Sequence, residues 1–196
     1  EALKKNHIEA FYAKTPEEAV IIFKDLVREN SVVTAGGCMT SIELGIVEIL
    51  RSGVYNYIDR ERPGITPEEV QVVQRQAFTA DYFITGTNAI TEKGELFNID
   101  GNGNRVAAIS YGPKEVIVIA GSNKIVRDAE EARKRVKEIS APANAMRLDC
   151  NTPCTIDGIC RNCASEKRIC CTEVLTGYQR IKNRIKVIIV DGDFGF

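Results

Sequence analysis

The sequence predicts an α/β protein with a mainly parallel, doubly wound sheet, an antiparallel excursion at about residues 89–110 and a C-terminal cysteine-rich lobe. Three observations lead to this prediction. Short β-branched runs alternate with segments of helical periodicity, which is typical of a parallel sheet covered by helices on both faces. Turn signals crowd the middle of the chain, and six of the seven cysteines cluster near its end.

The first half of the chain carries the alternation most clearly. Two Thr-Pro-Glu-Glu sequences, beginning at Thr15 and Thr66, each supply an N-cap threonine and a proline that suits the first turn of a helix. The predicted helices are Glu1–Lys5, one that begins at Thr15, one from about Thr40 to Ser52 with Gly53 as its C-cap, and one from Thr66 to about Phe78. The predicted strands are Ile8–Ala13, Val32–Ala35, Tyr55–Ile58 and Tyr82–Thr85.

The pattern changes after residue 88. Short β-prone segments are separated by Gly- and Asn-rich turns, which indicates antiparallel strands at Ala89–Thr91, Glu95–Asp100 and Arg105–Ser110. A β-branched run at Val116–Ala120 is typical of a parallel strand buried on both faces. A helix from Asp128 through Ile139 and a last strand at Lys186–Val190 complete the prediction.

The length of 196 residues suits one domain over residues 1–196, with residues 144–178 as a cysteine-rich, metal- or cluster-binding insertion before the last strand. The chain carries 26 Lys+Arg and 27 Asp+Glu, for a formal net charge of −1. Nucleic-acid-binding proteins show a strong basic excess, so we expect no nucleic-acid partner.

No apolar run is long enough to span a membrane, and no signal peptide is visible, so we expect a cytoplasmic protein without a membrane partner. Thiols stay reduced in the cytoplasm, where clustered cysteines favour a metal site over disulfides. The only histidine, His7, lies at the predicted end of the first helix, so we expect no Ser-His-Asp or Cys-His mechanism.

The cysteine cluster lies among Pro, Gly, Asn and Asp residues that show neither helix nor strand periodicity. Its spacing supplies four thiolates on a loop able to wrap around a small centre, namely Cys154, Cys160, Cys163 and Cys170. Four thiolates hold either a four-iron four-sulfur (4Fe-4S) cluster, which we predict, or a structural zinc ion. A redox disulfide and unligated thiols are the other interpretations, and Cys150 and Cys171 are additional thiols that could replace a ligand.

A Gly-Gly turn follows the predicted strand Val32–Ala35. Gly36 and Gly37 allow backbone N–H groups to face a ligand, and the helix that follows favours an anion at its N-terminus. Thr40 either caps that helix or donates its hydroxyl to the ligand. A tight strand-to-helix turn without a ligand explains the same residues, and Cys38 is expected to be a small packing residue.

Polar residues also follow the strands predicted at Tyr82–Thr85 and Val116–Ala120, where ligands bind in this architecture. Amides can fix a substrate by hydrogen bonds, and cations can pair with a carboxylate or phosphate. The candidate ligand-binding residues here are Asn88, Asn104, Arg105 and Lys124, with Glu92 as a candidate catalytic base or nucleophile. Hairpin turn chemistry and solvation explain the same residue types.

Several motifs occur together in a fixed order, namely Gly36-Gly37, Thr85–Leu96, Asp100–Arg105, Val116–Val126 and Thr152–Cys170. In combination they resemble the LUD-domain family, named for lactate-utilisation proteins, and in particular its short stand-alone branch with a cysteine-containing tail. The resemblance covers nearly the whole chain. It implies a fold similar to the NagB/ribose-5-phosphate isomerase/CoA-transferase group.

Proteins of this family and fold differ in function, so the resemblance implies more than one possible activity. Larger members of the family work in iron–sulfur complexes that oxidise lactate to pyruvate, whereas this chain lacks the tandem ferredoxin-like cysteine runs of their partners. CoA transferases of the same fold use a glutamate nucleophile, and Glu92 lies in a comparable strand-end region. Fold alone supplies no activity.

The resulting expectation is a LUD-domain iron–sulfur redox or accessory protein in lactate or related hydroxy-acid utilisation. Its expected partners are a small anionic metabolite (a hydroxy acid, sugar phosphate or CoA-like compound), a redox protein and a second copy in a homodimer. One alternative is a ligand-binding or regulatory domain whose four cysteines hold a structural zinc ion. Another is a CoA-transferase- or isomerase-like enzyme that uses Glu92.

Overall fold

Ten strands and nine α-helices make up the protein, whose computed structural model describes residues 1–196. The strands are β1 (Glu9–Ala13), β2 (Val32–Ala35), β3 (Asn56–Ile58), β4 (Tyr82–Thr85), β5 (Ala89–Thr91), β6 (Leu96–Asp100), β7 (Glu115–Gly121), β8 (Ile125–Val126), β9 (Thr172–Thr176) and β10 (Ile185–Val190). The helices are α1 (Ala2–Lys5), α2 (Pro16–Leu26), α3 (Met39–Glu43), α4 (Ile46–Arg51), α5 (Pro67–Gln76), α6 (Asn104–Tyr111), α7 (Ala129–Arg135), α8 (Ala141–Arg147) and α9 (Cys154–Asp157).

The larger sheet has six strands in the order β1-β10-β7-β4-β2-β3, and every neighbouring pair is parallel. The predicted parallel α/β architecture is confirmed. Because the strands run the same way, the turns after β2, β4, β7 and β10 meet at one edge of the sheet.

Alternating side chains of the central strands form two cores, one on each face of this sheet. Ile117 and Ile119 of β7 pack with residues of α2, α3 and α4, including Phe23 and Leu50. The intervening residues of β7 pack with α1, α6 and the turn after α5 on the opposite face, where Ile109 is buried. Helical layers on both faces are thus what the strand pattern requires.

The antiparallel excursion forms a separate sheet of four strands in the order β8-β5-β6-β9. Strands β5 and β6 are antiparallel, as predicted, β6 and β9 are also antiparallel, and β5 pairs with β8 in parallel. A third small core, which includes Phe97 and Val136, joins this sheet to α7. The sequence contained no periodic signal for β9, which follows the cysteines directly.

The strand predicted over Arg105–Ser110 is wrong, because these residues form α6. The Asp100 carboxylate accepts hydrogen bonds from the backbone N–H groups of Arg105 and Val106, at 2.9 and 3.1 Å, and so caps the first turn. Val106 and Ile109, the β-branched residues that suggested a strand, lie three positions apart and are both buried on one face of the helix.

Two other predicted helices differ in length from the structure. The helix predicted from Thr40 to Ser52 is divided into α3 and α4 by Gly45, which has a φ of 69°. The helix predicted to end at Ile139 continues to Arg147 through a π-helical turn at Val136–Ser140. Pro142 has no N–H for the helical hydrogen-bond ladder, which accounts for an irregular turn at this point. None of the helices is both long and apolar enough to cross a lipid bilayer.

Candidate functional site

A concave site, here called the strand-edge cavity, has a volume of about 330 Å³ and lies where the turns after β2, β4 and β7 meet. Its wall is mostly polar. The lining includes Gly37, Asn88, Asp100, Asn104, Arg105 and Lys124. A cavity of this size and position is the usual place for a small ligand in an open parallel sheet.

Arg105 organises the floor of this cavity. Its Nε donates to the Asp100 carboxylate at 2.9 Å, and its two terminal nitrogens donate to the side chains of Asn98 and Asn88 and to two backbone carbonyls. All five guanidinium N–H donors are therefore used within the protein. Arg105 lines the cavity as a positioning residue, and its predicted role as a ligand-binding residue stays a prediction.

Lys124 is the buried cation of the cavity. Its side chain is 4% exposed, and its ammonium donates only to Thr40 Oγ1, at 3.1 Å, with no carboxylate in salt-bridge range. Burial lowers the pKa of the Lys124 ammonium below its usual value, and the positive charge of Arg135 lowers it further. An unpaired buried ammonium beside a cavity is stabilised when an anion binds next to it.

The turn after β10 closes the cavity beside Lys124. Thr40 donates its hydroxyl to the Phe194 carbonyl at 3.0 Å, and Asn123 donates its amide to the Gly195 carbonyl at 3.2 Å. Gly195 has a φ of 63°, and a side chain there would lie 3.0 Å from Lys124 Nζ. A glycine is thus needed for this segment to cover the lysine.

Most of the ligand-binding residues predicted from the sequence lie at the strand-edge cavity. Gly37, Asn88, Asn104, Arg105 and Lys124 all line the strand-edge cavity. Gly36 and Thr40 lie beside it, Gly36 against Thr85 and Thr40 under the segment after β10. Whether these residues hold a ligand stays a prediction.

Glu92 lies apart from these residues. It follows β5, its backbone N–H bonds to the Val126 carbonyl, and its side chain is exposed outside the strand-edge cavity. The turn at Lys93-Gly94 packs against the N-terminal helix, whose Asn6 donates to both turn carbonyls. Glu92 is therefore separate from the candidate ligand-binding residues, and its catalytic role stays a prediction.

Several cavity residues were not found from the sequence. Arg60 and Glu61 reach the cavity from the loop after β3, and Asn144 and Arg147 reach it from the last turn of α8. No motif surrounds them, and they meet only because the loop and the helix end both lie over the same edge of the sheet. A side chain at Gly37 would lie 3.1 Å from an Arg60 terminal nitrogen, a contact that the sequence alone does not indicate.

The four predicted cysteine ligands line a second, smaller cavity of about 20 Å³, here called the cysteine cavity. Its opposite wall is formed by small residues of α8, namely Ala141, Pro142 and Ala145. Cys150 and Cys171 do not line it. The four cysteines predicted as ligands thus line one cavity, and their binding of a metal stays a prediction.

The thiols are not drawn tightly around one point. No group of three or more His, Cys, Asp or Glu side chains lies close enough together to hold a single metal ion as the side chains stand, and all seven cysteines are free. The metal prediction is consequently not tested by these distances. A hydrogen bond from Ser165 lowers the pKa of the Cys163 thiol, whereas burial raises that of Cys150.

Arg168 holds the cysteine turns in place. Its terminal nitrogens donate to the carbonyls of Cys163 and Cys170, at 2.8 and 2.5 Å, and one of them lies 3.5 Å from Cys170 Sγ. Its Nε is buried and has no hydrogen-bond partner. Arg168 lines the cysteine cavity, and a buried N–H without a partner there is compatible with an anionic thiolate centre.

Ile169 joins the two cavities, because it lines both of them. Two residues further along, the Cys171 N–H bonds to the Asp100 carbonyl at 2.8 Å, and Asp100 in turn holds Arg105. The cysteine turns therefore form part of the wall of the strand-edge cavity.

Comparison with known families decides the identity of the chain. The family model described as the LUD domain matches residues 1–190, which is nearly the full length. The chain belongs to the LUD domain family. Both cavities lie in this LUD protein, although the match ends before the segment that covers Lys124. No curated protein matches its sequence.

The fold of this LUD protein is also found among solved structures. A DUF162 family protein from Deinococcus radiodurans has a TM-score of 0.53 and 17% identity, with 97% of this chain and 92% of that chain covered. At this identity the likeness concerns the fold alone.

Two ribose-5-phosphate isomerases match at lower TM-scores. The one from Plasmodium falciparum gives 0.36 at 18% identity, with 57% of this chain and 52% of that chain covered. The one from Methanocaldococcus jannaschii gives 0.37 at 16% identity, with 85% and 78% covered.

Proposed function

We propose that this LUD protein is an iron–sulfur redox or accessory protein of lactate or related hydroxy-acid utilisation. In this proposal Cys154, Cys160, Cys163 and Cys170 hold a four-iron four-sulfur cluster. A small hydroxy acid or related anion binds in the strand-edge cavity. The observation that carries the proposal is that four thiols line one cavity whose wall, through Ile169, is also the wall of a cationic ligand cavity.

The donor set fits the proposed cluster. Four cysteines are its usual ligands, and all four line one cavity opposite the small side chains of α8. Arg168 supplies a positive charge, with one terminal nitrogen 3.5 Å from Cys170 Sγ, and a buried Nε–H without a partner, and both would stabilise an anionic centre. When bound, such a cluster exchanges single electrons with a redox partner protein.

The proposal of an anionic ligand in the strand-edge cavity depends on the charge of Lys124. Arg105 is neutralised by Asp100, so Lys124 is the buried cation left to bind an anion. Asn88, Asn104 and Thr87 lie in the same wall and can donate or accept hydrogen bonds from a hydroxyl group. A short acid with a hydroxyl group has the complementary chemistry.

Anaerobic purification tests the cluster directly. We expect about four irons and inorganic sulfides per chain, with a broad visible absorption that bleaches on reduction. Cys163→Ser should remove most of the iron, whereas Cys171→Ser, whose thiol does not line the cysteine cavity, should retain it. A colourless protein with one zinc per chain would contradict the redox proposal and support the structural-zinc alternative.

A ligand titration tests the proposed binding of a hydroxy acid in the strand-edge cavity. L-lactate and glycerate should bind to the wild-type protein, and Lys124→Met should weaken that binding by about tenfold or more because it removes the buried charge. Arg180→Met, a substitution at an exposed arginine outside the cavity, provides the control. Equal binding by wild type and Lys124→Met would contradict the assignment of Lys124.

A further inference from the structure

A small side pocket, here called the Ser41 pocket, opens beside the strand-edge cavity. It has a volume of about 30 Å³ and is lined by Ser41, Tyr57, Arg60 and Arg147, together with the Gly36–Met39 turn. Arg60, Arg147 and residues 37–39 line both spaces, whereas Ser41 lines only the pocket and Lys124 only the strand-edge cavity. The two spaces are thus neighbours with different polar groups at their far ends.

Ser41 has an unused hydroxyl group in this pocket. Its side chain is 4% exposed, and its oxygen is buried without any hydrogen-bond partner. Buried hydroxyl groups are nearly always hydrogen-bonded, so an unpaired one that faces a pocket indicates a group that binds there. Nearby apolar residues such as Ile84 and Leu50 offer no competing acceptor.

Two guanidinium groups face the same space and are only partly used. Arg60 donates one hydrogen bond, to the exposed carboxylate of Glu61, and Arg147 donates only to the Asn144 side-chain oxygen. A side chain at Gly37 would lie 3.1 Å from an Arg60 terminal nitrogen, so the glycine admits the guanidinium to the turn. Arginine in this setting presents a fork of N–H donors suited to an oxyanion.

The pocket offers more hydrogen-bond donors than acceptors, and Glu61 is the one carboxylate in its lining. Burial raises the pKa of the Tyr57 phenol well above its usual value, so this group stays protonated and neutral at the mouth of the pocket. Two guanidinium groups and a hydroxyl therefore face one carboxylate, Glu61, whose side chain is 55% exposed. Apolar side chains such as Ile84 and Leu50 form the rest of the lining, so an oxyanion held by these donors is attracted more strongly than in bulk water.

We propose that the Ser41 pocket is an oxyanion subsite, which binds a carboxylate or phosphoryl group at one end of a ligand whose body and second anionic group lie beside Lys124. The proposal rests on the proposed function and specifies its ligand class. The preferred ligand is a hydroxy acid with a second oxyanion, either a hydroxy dicarboxylate or a phosphorylated hydroxy acid. A simple monocarboxylate fills only one end.

Matched pairs of compounds test the subsite by isothermal titration calorimetry. L-lactate and glycerate carry one oxyanion, and L-malate and 3-phosphoglycerate add a carboxylate and a phosphoryl group, respectively. We expect at least one of the two-anion compounds to bind about tenfold or more tightly than its partner, because a hydrogen bond to a charged group has about that effect. Which pair shows the difference identifies the oxyanion.

Single substitutions test which residues produce the preference for the two-anion compound. Ser41→Ala and Arg60→Gln should each reduce the preference for the two-anion compound, and Ser41→Ala should leave the melting temperature unchanged because its hydroxyl has no partner. Arg62→Gln is the matched control, since Arg62 lies in the same loop but bonds to Glu69 and lines neither cavity.

The outcomes are separable. Equal affinities within both pairs, or a preference that survives Ser41→Ala and Arg60→Gln, would overturn the subsite while leaving the proposed hydroxy-acid cavity intact. Absence of binding by all four compounds would overturn the hydroxy-acid proposal itself, and the subsite with it.

Discussion

The strand-edge cavity and the cysteine cavity share a wall but are held in different ways. The first is fixed by the parallel sheet and by Arg105, whose five N–H groups all bond to the protein. The second is formed by turns between α8 and β9 whose only helix is the four-residue α9, with Arg168 as the main internal link. One site is therefore built by the regular elements of the fold, and the other by turns with few internal links.

The largest effect should come from breaking the anchor of the fold-built site. Arg105→Met leaves the buried carboxylate of Asp100 unpaired, so the free energy of unfolding should fall by about 3–5 kcal/mol, measured by urea denaturation. Arg133→Met breaks the exposed pair with Glu173 and should cost less than about 1 kcal/mol. Similar losses in both variants would show that Arg105 does not anchor the cavity.

The second prediction is that the cysteine turns and the parallel sheet differ in local stability when the proposed metal centre is removed. Removing the proposed metal centre with a chelator should raise amide hydrogen exchange across residues 154–169 by about tenfold or more, because only local turns remain to hold them. Exchange in β7 should stay unchanged, since its neighbours β4 and β10 do not depend on the thiols. Faster exchange in β7 as well would mean that the two regions unfold as one unit.

A smaller effect should appear at the shared wall. Ile169→Ala should destabilise the cysteine turns by about 1 kcal/mol, because the half-buried side chain loses apolar contact. It should also alter the affinity of the strand-edge cavity for its ligand, measured by titration. Ile159→Ala, at an exposed position in the same turns, is the control and should change neither quantity.

The smallest effect is a pH dependence within the fold-built site. Burial lowers the pKa of Lys124 in the native protein, so the unfolded chain holds more protons between that lowered value and 10.5. Raising the pH through this window should therefore stabilise the wild type relative to Lys124→Met, and the difference should be constant at lower pH. A wild-type curve parallel to that of Lys124→Met throughout would contradict the assigned shift.

The parallel sheet was predictable because its strands are continuous β-branched runs followed by glycine or polar turns. The same reasoning placed Asn88 and Lys124 at one edge, since the carboxyl ends of parallel strands meet there. It failed at residues 105–110, where a carboxylate five residues upstream, Asp100, caps a helix that composition alone did not indicate.

The remaining cavity residues were not predictable for a different reason. Arg60, Arg147 and Ser41 lie in three separate elements and carry no shared spacing. Only their unused donors around one pocket, visible after folding, mark them. For the cysteines, spacing selected the four that face one cavity, but it could not show that Ile169 also faces the other.

The position of β10 has a consequence for the order of assembly during synthesis. This strand is the last in the chain but lies between β1 and β7. The ribosome releases all seven cysteines before it releases β10, because they precede it. Sheet closure therefore awaits a segment that follows the thiols, and the nascent chain passes through a stage in which the cysteines are already outside the ribosome while β1 and β7 are still unjoined.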